Sequence, residues 1–195
     1  LPRREGGHCV GGQRIRRPVL EVETIAAGGG SVLSNNGFQL GVGPASAGAN
    51  PGPACYGQNG PATLTDAALA LGLIDPESFE PPLIPSQDVI PGDPAHFLQI
   101  AREAMAAAVR RLAVARGVSL EDHALVSYGG AAGQHAVEVA RLLGIRTVLV
   151  HPCASVLSAF GQALARKEEQ ALESIWADLD EVSELLPAVV TGLLE

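Results

Sequence analysis

Charged side chains are scarce in this chain, 17% of its 195 residues, and aromatic rings are scarcer still at 4%. So little charge beside 47% hydrophobic residues excludes a disordered polyelectrolyte, because such a chain can bury enough apolar surface to fold. The shortage of rings excludes an aromatic core. Ala, Leu and Val must fill the interior, and 23 glycines with 14 prolines must shape the turns, a balance that suits an α/β architecture better than a β-sandwich. Cysteine is limited to Cys9, Cys55 and Cys153, an odd and widely spaced set without a C-x-x-C pair. That argues against a disulfide framework and a zinc cluster, and for the cytoplasm. No run of 18 apolar residues occurs and the N-terminus lacks a signal-like apolar segment, so neither a membrane span nor a membrane partner is expected. Basic residues are outnumbered, 13 against 21 acidic, and the net charge of −8 disfavours a nucleic-acid surface. The eight acidic residues after Lys167, with no basic one among them, read as a solvated face. An opening of Leu1-Pro2-Arg3 in place of an initiator Met is what a piece excised from a longer polypeptide would show.

Residues 1–20 carry Gly-Gly and Arg-Arg pairs without an apolar period and read as a loop-like lead-in, leaving 21–195 as the folded lobe. Within the lobe, 21–92 reads as strand- and loop-rich and 93–195 as helix and strand. LEVETIAA (20–27) alternates and predicts a strand; GGGS interrupts it; VLSNNGFQLGV (32–42) then sets Asn36-Gly37 between short apolar runs, as in a β-hairpin. The Gly- and Pro-rich stretch 43–66 fits neither period and reads as a long ordered loop, a common seat of function. A short helix is expected from Asp66 to Leu71, capped by Thr65 and stopped by Gly72. Five prolines between 76 and 91 mark the expected internal boundary. Asp93-Pro94 opens a long helix that ends at Gly117, with Phe97, Ala101, Ala104 and Ala108 on its apolar face. HALVSY (123–128), a helix over 133–143 and TVLV (147–150) predict a parallel βαβ unit. Helices over about 155–165 and 179–194 follow.

Two glycine corners are candidates for chemistry. Gly28-Gly29-Gly30-Ser31 can turn backbone N–H groups and a hydroxyl towards a phosphate, although a tight turn into the hairpin explains the same residues. Tyr128-Gly129-Gly130-Ala131-Ala132-Gly133 lies at a strand's carboxyl end and a helix start, where parallel sheets bind ligands. It is no dinucleotide fingerprint, since G-x-G-x-x-G would need glycine at Tyr128, and no G-K-[ST] occurs for a Walker loop. His135, one turn into that helix, is either a packed side chain or a ligand. Asp66 is either a cap or a group reaching a magnesium-bound phosphate or water, and Cys55 either a buried thiol or a nucleophile. The spacing of His151 and Cys153 around Pro152 makes no metal site by itself, and no metal ligand is assigned.

Four stretches carry a resemblance: TIAAGGGSV (24–32), VGPASAGANPGPACYGQNGPATLTDAALALGLIDPESF (42–79), AREAMAAAVRRLAVARGVSLEDHALVSYGGAAGQHA (101–136) and LGIRTVLVHPCASVLSAFGQALA (143–165). In this order they resemble the hydantoinase A and 5-oxoprolinase family of ATP-dependent amide-ring-opening enzymes. GGAAGQHA (129–136) and VHPCASVLSAFG (150–161) are more similar to the 5-oxoprolinase branch. The resemblance implies an α/β fold, half of an actin-like ATPase of ribonuclease-H-like type, with a mixed sheet and flanking helices. It implies ATP and Mg2+ as cofactors, with Gly28, Gly29, Gly30 and Ser31 on the phosphates, Gly129, Gly130 and Gly133 on the nucleoside side, and Asp66 and His135 as catalytic candidates. ATP would phosphorylate the amide oxygen of a cyclic amide such as 5-oxoproline, so that water opens the ring to glutamate. Remaining domains of the same enzyme, or a hydantoinase B-type partner subunit, would complete the hydrolysis in an oligomer. An activating subunit of a hydantoinase or ketone carboxylase, and a non-catalytic assembly lobe, are the alternatives. The family's Asp-x-Gly-Gly-Thr phosphate loop does not occur in these residues, which implies weak ATP binding by the chain alone. Ala45 and Asn50 stand where the family carries acidic residues and Arg166 where it carries Asp, departures that bear on how magnesium or substrate is held.

Overall fold

The structure, a computed structural model, describes residues 22–166, 175–176 and 178–194, together with the strand backbone at 4–5, 8–10, 13–15 and 19–20. They belong to two compact units, Leu1–Leu157 and Ser158–Glu195.

In the first unit, the segment read as a loop-like lead-in contains two short antiparallel pairs. β1 (Arg4–Glu5) pairs with β4 (Val19–Leu20), and β2 (His8–Val10) with β3 (Gln13–Ile15). The alternating residues that follow do not make the expected strand. Residues 22–25 are irregular, and with no described strand paired to them their alternation has no ladder to join. Strand structure starts at β5 (Ser31–Asn35), which forms the expected hairpin with β6 (Leu40–Ser46) around Asn36-Gly37. Gly37 takes φ +85°, and Asn36 Oδ1 accepts from the N–H groups of Phe38 and Gln39 at 3.0 and 2.8 Å. The side-chain amide thus supplies the turn that the backbone alone would leave open. On its other side β5 meets the end of the long loop: Val32 bridges to Thr63, and Leu33 N–H donates to Ala62 O at 2.9 Å.

That contact delivers the chain into α1 (Leu64–Ala70). The helix starts two residues earlier than expected because Thr63, not Thr65, is its cap. Thr63-x-x-Asp66 forms a capping box in which Asp66 accepts the Thr63 N–H at 2.7 Å. Gly72, at φ +69°, stops the helix as expected, with Leu73 N–H reaching back to Ala68 O at 2.9 Å. Leu64, Ala67 and Ala68 pack with Leu33, Cys55 and Phe97 in one buried cluster. The prolyl connection 75–92 lies inside this unit and adds Leu83 to the same cluster.

α2 (Pro94–Arg116) has the expected ends, Asp93 Oδ1 accepting from Ala95 N–H at 2.9 Å and Gly117 at φ +63°. Its buried face differs from the simple period. Phe97, Leu98 and Ala101 enter the first cluster, whereas Ala106 enters a second one with Val139, Ala140 and Leu143. Between them the helix exchanges α1 and β6 for a new partner, and Ala104, placed on the apolar face by the period, is exposed. The new partner is α3 (Gly133–Leu143), held in the predicted βαβ unit between β7 (Ala124–Ser127) and β8 (Thr147–Val150). These strands are parallel, with Leu125 opposite Val148 and Val126 opposite Leu149. The first pair packs on the second cluster. The second unit holds α4 (Leu157–Leu164), which begins at the last residue of the first unit, and α5 (Leu179–Leu194), as the sequence predicts. The architecture is α/β, with the described strands spread over two-stranded pieces, one of them parallel.

Candidate functional site

The first glycine corner leads into β5 and is tied down by its carbonyls. Gly28 O accepts from Ser31 N–H at 2.9 Å, and Gly30 O from Ala47 N–H at 2.9 Å. Gly29 O accepts twice from one residue, the N–H of Thr65 at 2.9 Å and its Oγ1 hydroxyl at 3.0 Å. With three successive carbonyls engaged by the protein, the remaining polar groups of the corner are donors. Among the described residues none accepts from the N–H of Gly29 or Gly30. A side chain does not fit at Gly29, where a Cβ would lie 2.8 Å from Thr65 Oγ1, and at Gly30 it would lie 3.2 Å from Ser46 Oγ. Ser31 is buried.

The second corner follows β7. Gly129 adopts φ +99°, which only glycine takes without strain, and donates to Ala154 O at 2.8 Å. Gly129, Gly130 and Gly133 are exposed and no atom would crowd a Cβ on any of them. The two corners meet: a Cβ placed on Gly29 would touch the Ala131 methyl at 3.7 Å. Segments about a hundred residues apart in the chain thus share one surface. No acidic residue occurs in 24–34 or 124–137, so neither corner itself repels an anion.

The two catalytic candidates are placed differently. Asp66 is buried, and its carboxylate accepts from Cys55 N–H and Thr63 N–H at 2.7 Å, Thr63 Oγ1 at 2.9 Å and Ala54 N–H at 3.3 Å. This geometry engages the carboxylate in fastening the long loop to α1. His135 is buried in the first turn of α3 and lines a cleft of about 220 Å³ with Met105, Leu125 and Tyr128. Burial, and then the nearby Arg102 guanidinium, hold its pKa below the usual 6.5, which keeps the ring neutral. Its Nδ1 has no hydrogen-bond partner among the described residues. Cys55 is fully buried, and desolvation, then Asp66, push its thiol up to about 12, so it is no nucleophile at neutral pH. Cys153 donates its backbone N–H to His151 Nδ1 at 3.0 Å, a local turn contact. Sequence reasoning missed Thr65 as the support of Gly29 and Ala131 as the meeting point. The capping-box spacing Thr63-x-x-Asp66 was the signal that would have freed Thr65 from the cap.

The sequence matches the Hydantoinase/oxoprolinase family over residues 3–90 and 94–171. Its fold recurs in the crystal structure of ATP-dependent caprolactamase from Pseudomonas jessenii, 33% identical, with a TM-score of 0.67 over 92% of this chain and 30% of that one. An acetone carboxylase in nucleotide-free form, 20% identical, shares the fold with a TM-score of 0.63, over 93% of this chain and 30% of that one. These neighbours define an α/β chain of hydantoinase-family, actin-like ATPase fold, as the sequence led one to expect. The 5-oxoprolinase of Saccharomyces cerevisiae is 41% identical over 186 residues, which are 82% of this chain and 14% of that protein. The chain belongs to the hydantoinase/oxoprolinase family, and it spans a small part of the length of the relatives it matches.

Proposed function

We propose that this chain is the nucleotide-binding lobe of an ATP-dependent enzyme that opens a cyclic amide such as 5-oxoproline, giving glutamate. The observation that carries the reading is the meeting of two glycine corners at Gly29 and Ala131, with backbone N–H groups at Gly29 and Gly30 that no acceptor among the described residues takes up. The names of the relatives support the substrate class: a 5-oxoprolinase and a caprolactamase both denote hydrolases of cyclic amides. Caprolactamase and acetone carboxylase are both described as ATP-dependent, which supports ATP as the cofactor.

The residues present fit the phosphates of ATP. Gly29 and Gly30 would donate to phosphate oxygens, with no room for a side chain at Gly29 and little at Gly30, and Ser31 would flank them. Gly129, Gly130 and Gly133 would form the open nucleoside side. When bound, ATP would supply the phosphoryl group that, placed on the amide oxygen, makes the ring carbon a stronger electrophile for water, so that the ring C–N bond can break. They do not fit a protein-held Mg2+: among the described residues no cluster of His, Cys, Asp or Glu is arranged for a metal, and the Asp66 oxygens are already engaged. Magnesium would be held by the phosphates or by residues outside this lobe. Neutral His135 contributes a packed wall beneath the second corner, and the groups that attack the ring come from elsewhere in the enzyme. We further infer an intracellular enzyme completed by other domains or a partner subunit; no helix among the described residues is long and apolar enough to cross a membrane.

Calorimetry of the complete enzyme with ATP, followed by product analysis with 5-oxoproline, hydantoin and acetone, tests the reading. It predicts ATP binding and release of glutamate from 5-oxoproline. Absence of nucleotide binding would leave an assembly lobe, and turnover of acetone or hydantoin alone would reassign the substrate.

A further inference from the structure

Thr65 is unused by the cap of its own helix, and its side chain is spent on another segment altogether. Both its N–H and its hydroxyl converge on Gly29 O, at 2.9 and 3.0 Å, across 36 residues of sequence. A trans peptide sends its C=O and its N–H to opposite sides. Holding Gly29 O against the start of α1 therefore turns the N–H of Gly30 away from that helix, towards the side of the corner no described residue occupies with an acceptor. The neighbouring peptide is held at both ends, Gly30 O accepting from Ala47 N–H and Ser31 N–H donating to Gly28 O, each at 2.9 Å. Glycine has the broadest backbone freedom of any residue, so three in a row would sample many orientations unless an external group selects one.

We propose that the Thr65 hydroxyl is a positioning residue for the phosphate-binding corner, setting the Gly29–Gly30 peptide in its donor orientation before nucleotide arrives. The proposal rests on the reading of this corner as a phosphate site. It explains why the contact is doubled: one hydrogen bond from the Thr65 N–H allows the peptide to pivot, while a second from Oγ1 fixes its plane. It also explains the absence of room for a Cβ at Gly29, because the hydroxyl sits 2.8 Å from that position. Thr65 is half-buried and would touch no phosphate itself. Its effect would pass through the backbone it holds, as preorganisation of a binding loop.

The test compares Thr65→Val and Thr65→Ser in the complete enzyme, with ATP affinity by calorimetry and KM against kcat under saturating substrate. Val keeps the shape and loses the donor; Ser keeps the donor. The expected result is that Thr65→Val weakens ATP binding about fivefold to tenfold, the loss of one hydrogen bond's worth of preorganisation, while Thr65→Ser stays within about twofold of wild type. The effect should fall on the KM for ATP more than on kcat, with thermal midpoints of the two variants alike. Wild-type enzyme that binds no ATP would overturn the phosphate-site reading itself. ATP binding that is unchanged in Thr65→Val, or equally weakened in both variants, would overturn the role of the hydroxyl and leave the reading standing.

Discussion

Asp66 gathers four donors from three residues, and a carboxylate so engaged cannot be exchanged for its amide without setting an NH2 group against N–H donors. Replacing Asp66 with Asn should therefore lower stability by about 3 kcal/mol, measured by urea denaturation. A catalytic carboxylate would show the opposite pattern, near-native stability with lost turnover. His135 makes a second prediction at this scale. Its native pKa is held below 6.5 by burial and by Arg102, so the unfolded state takes up a proton first as the pH falls. The His135 contribution to stability is complete above about pH 6.5 and is lost as the pH drops from there towards the native pKa. The fall in melting temperature between about pH 7.5 and about pH 5.5 should be smaller in His135→Gln, and equal slopes would contradict a buried neutral ring. Its place one turn into the predicted helix made a packed His135 legible as one of two readings. It could not choose, because the choice depends on Arg102 and Met105, which α2 brings from thirty residues upstream.

Element ends were legible where one residue decides them. Asp93-Pro94 starts α2 and Gly117 ends it for local reasons, a side-chain acceptor and a left-handed backbone. Asp93→Ala should cost about 1 kcal/mol in thermal or chemical denaturation; an unchanged stability would remove the cap from the account. The hairpin at Asn36-Gly37 and the βαβ unit ending in β8 were legible for the same reason, since turn chemistry and period are both local. Two elements were not. Residues 22–25 alternate like a strand but have no described partner, and pairing is a property of two segments. The start of α1 was misplaced because Thr63 and Thr65 are equally good caps by type. The spacing Thr63-x-x-Asp66 separates them as a capping box, and the bridge from Val32 to Thr63 brings the chain into the helix at that residue. The buried face of α2 also escaped a single period, because the helix serves two clusters with different partners.

At the scale of the molecule, the sequence motifs indicated two glycine corners but not that they touch. Contact between residues 29 and 131 follows from the packing of α1 on α2 and of α2 on α3, a chain of three helices that no local pattern encodes. The long Gly- and Pro-rich loop takes part as a fastening. Asp66 holds residues 54 and 55 against α1, while Thr65 on the same turn holds Gly29. One helical turn thus joins the core to the proposed phosphate site. The most direct test is a crystal structure of the complete enzyme with a non-hydrolysable ATP analogue. The account predicts phosphate oxygens within about 2.7–3.2 Å of the Gly29 and Gly30 nitrogens, with the nucleoside against Gly129 and Gly130. A nucleotide bound elsewhere, with either corner covered by another part of the enzyme, would contradict it.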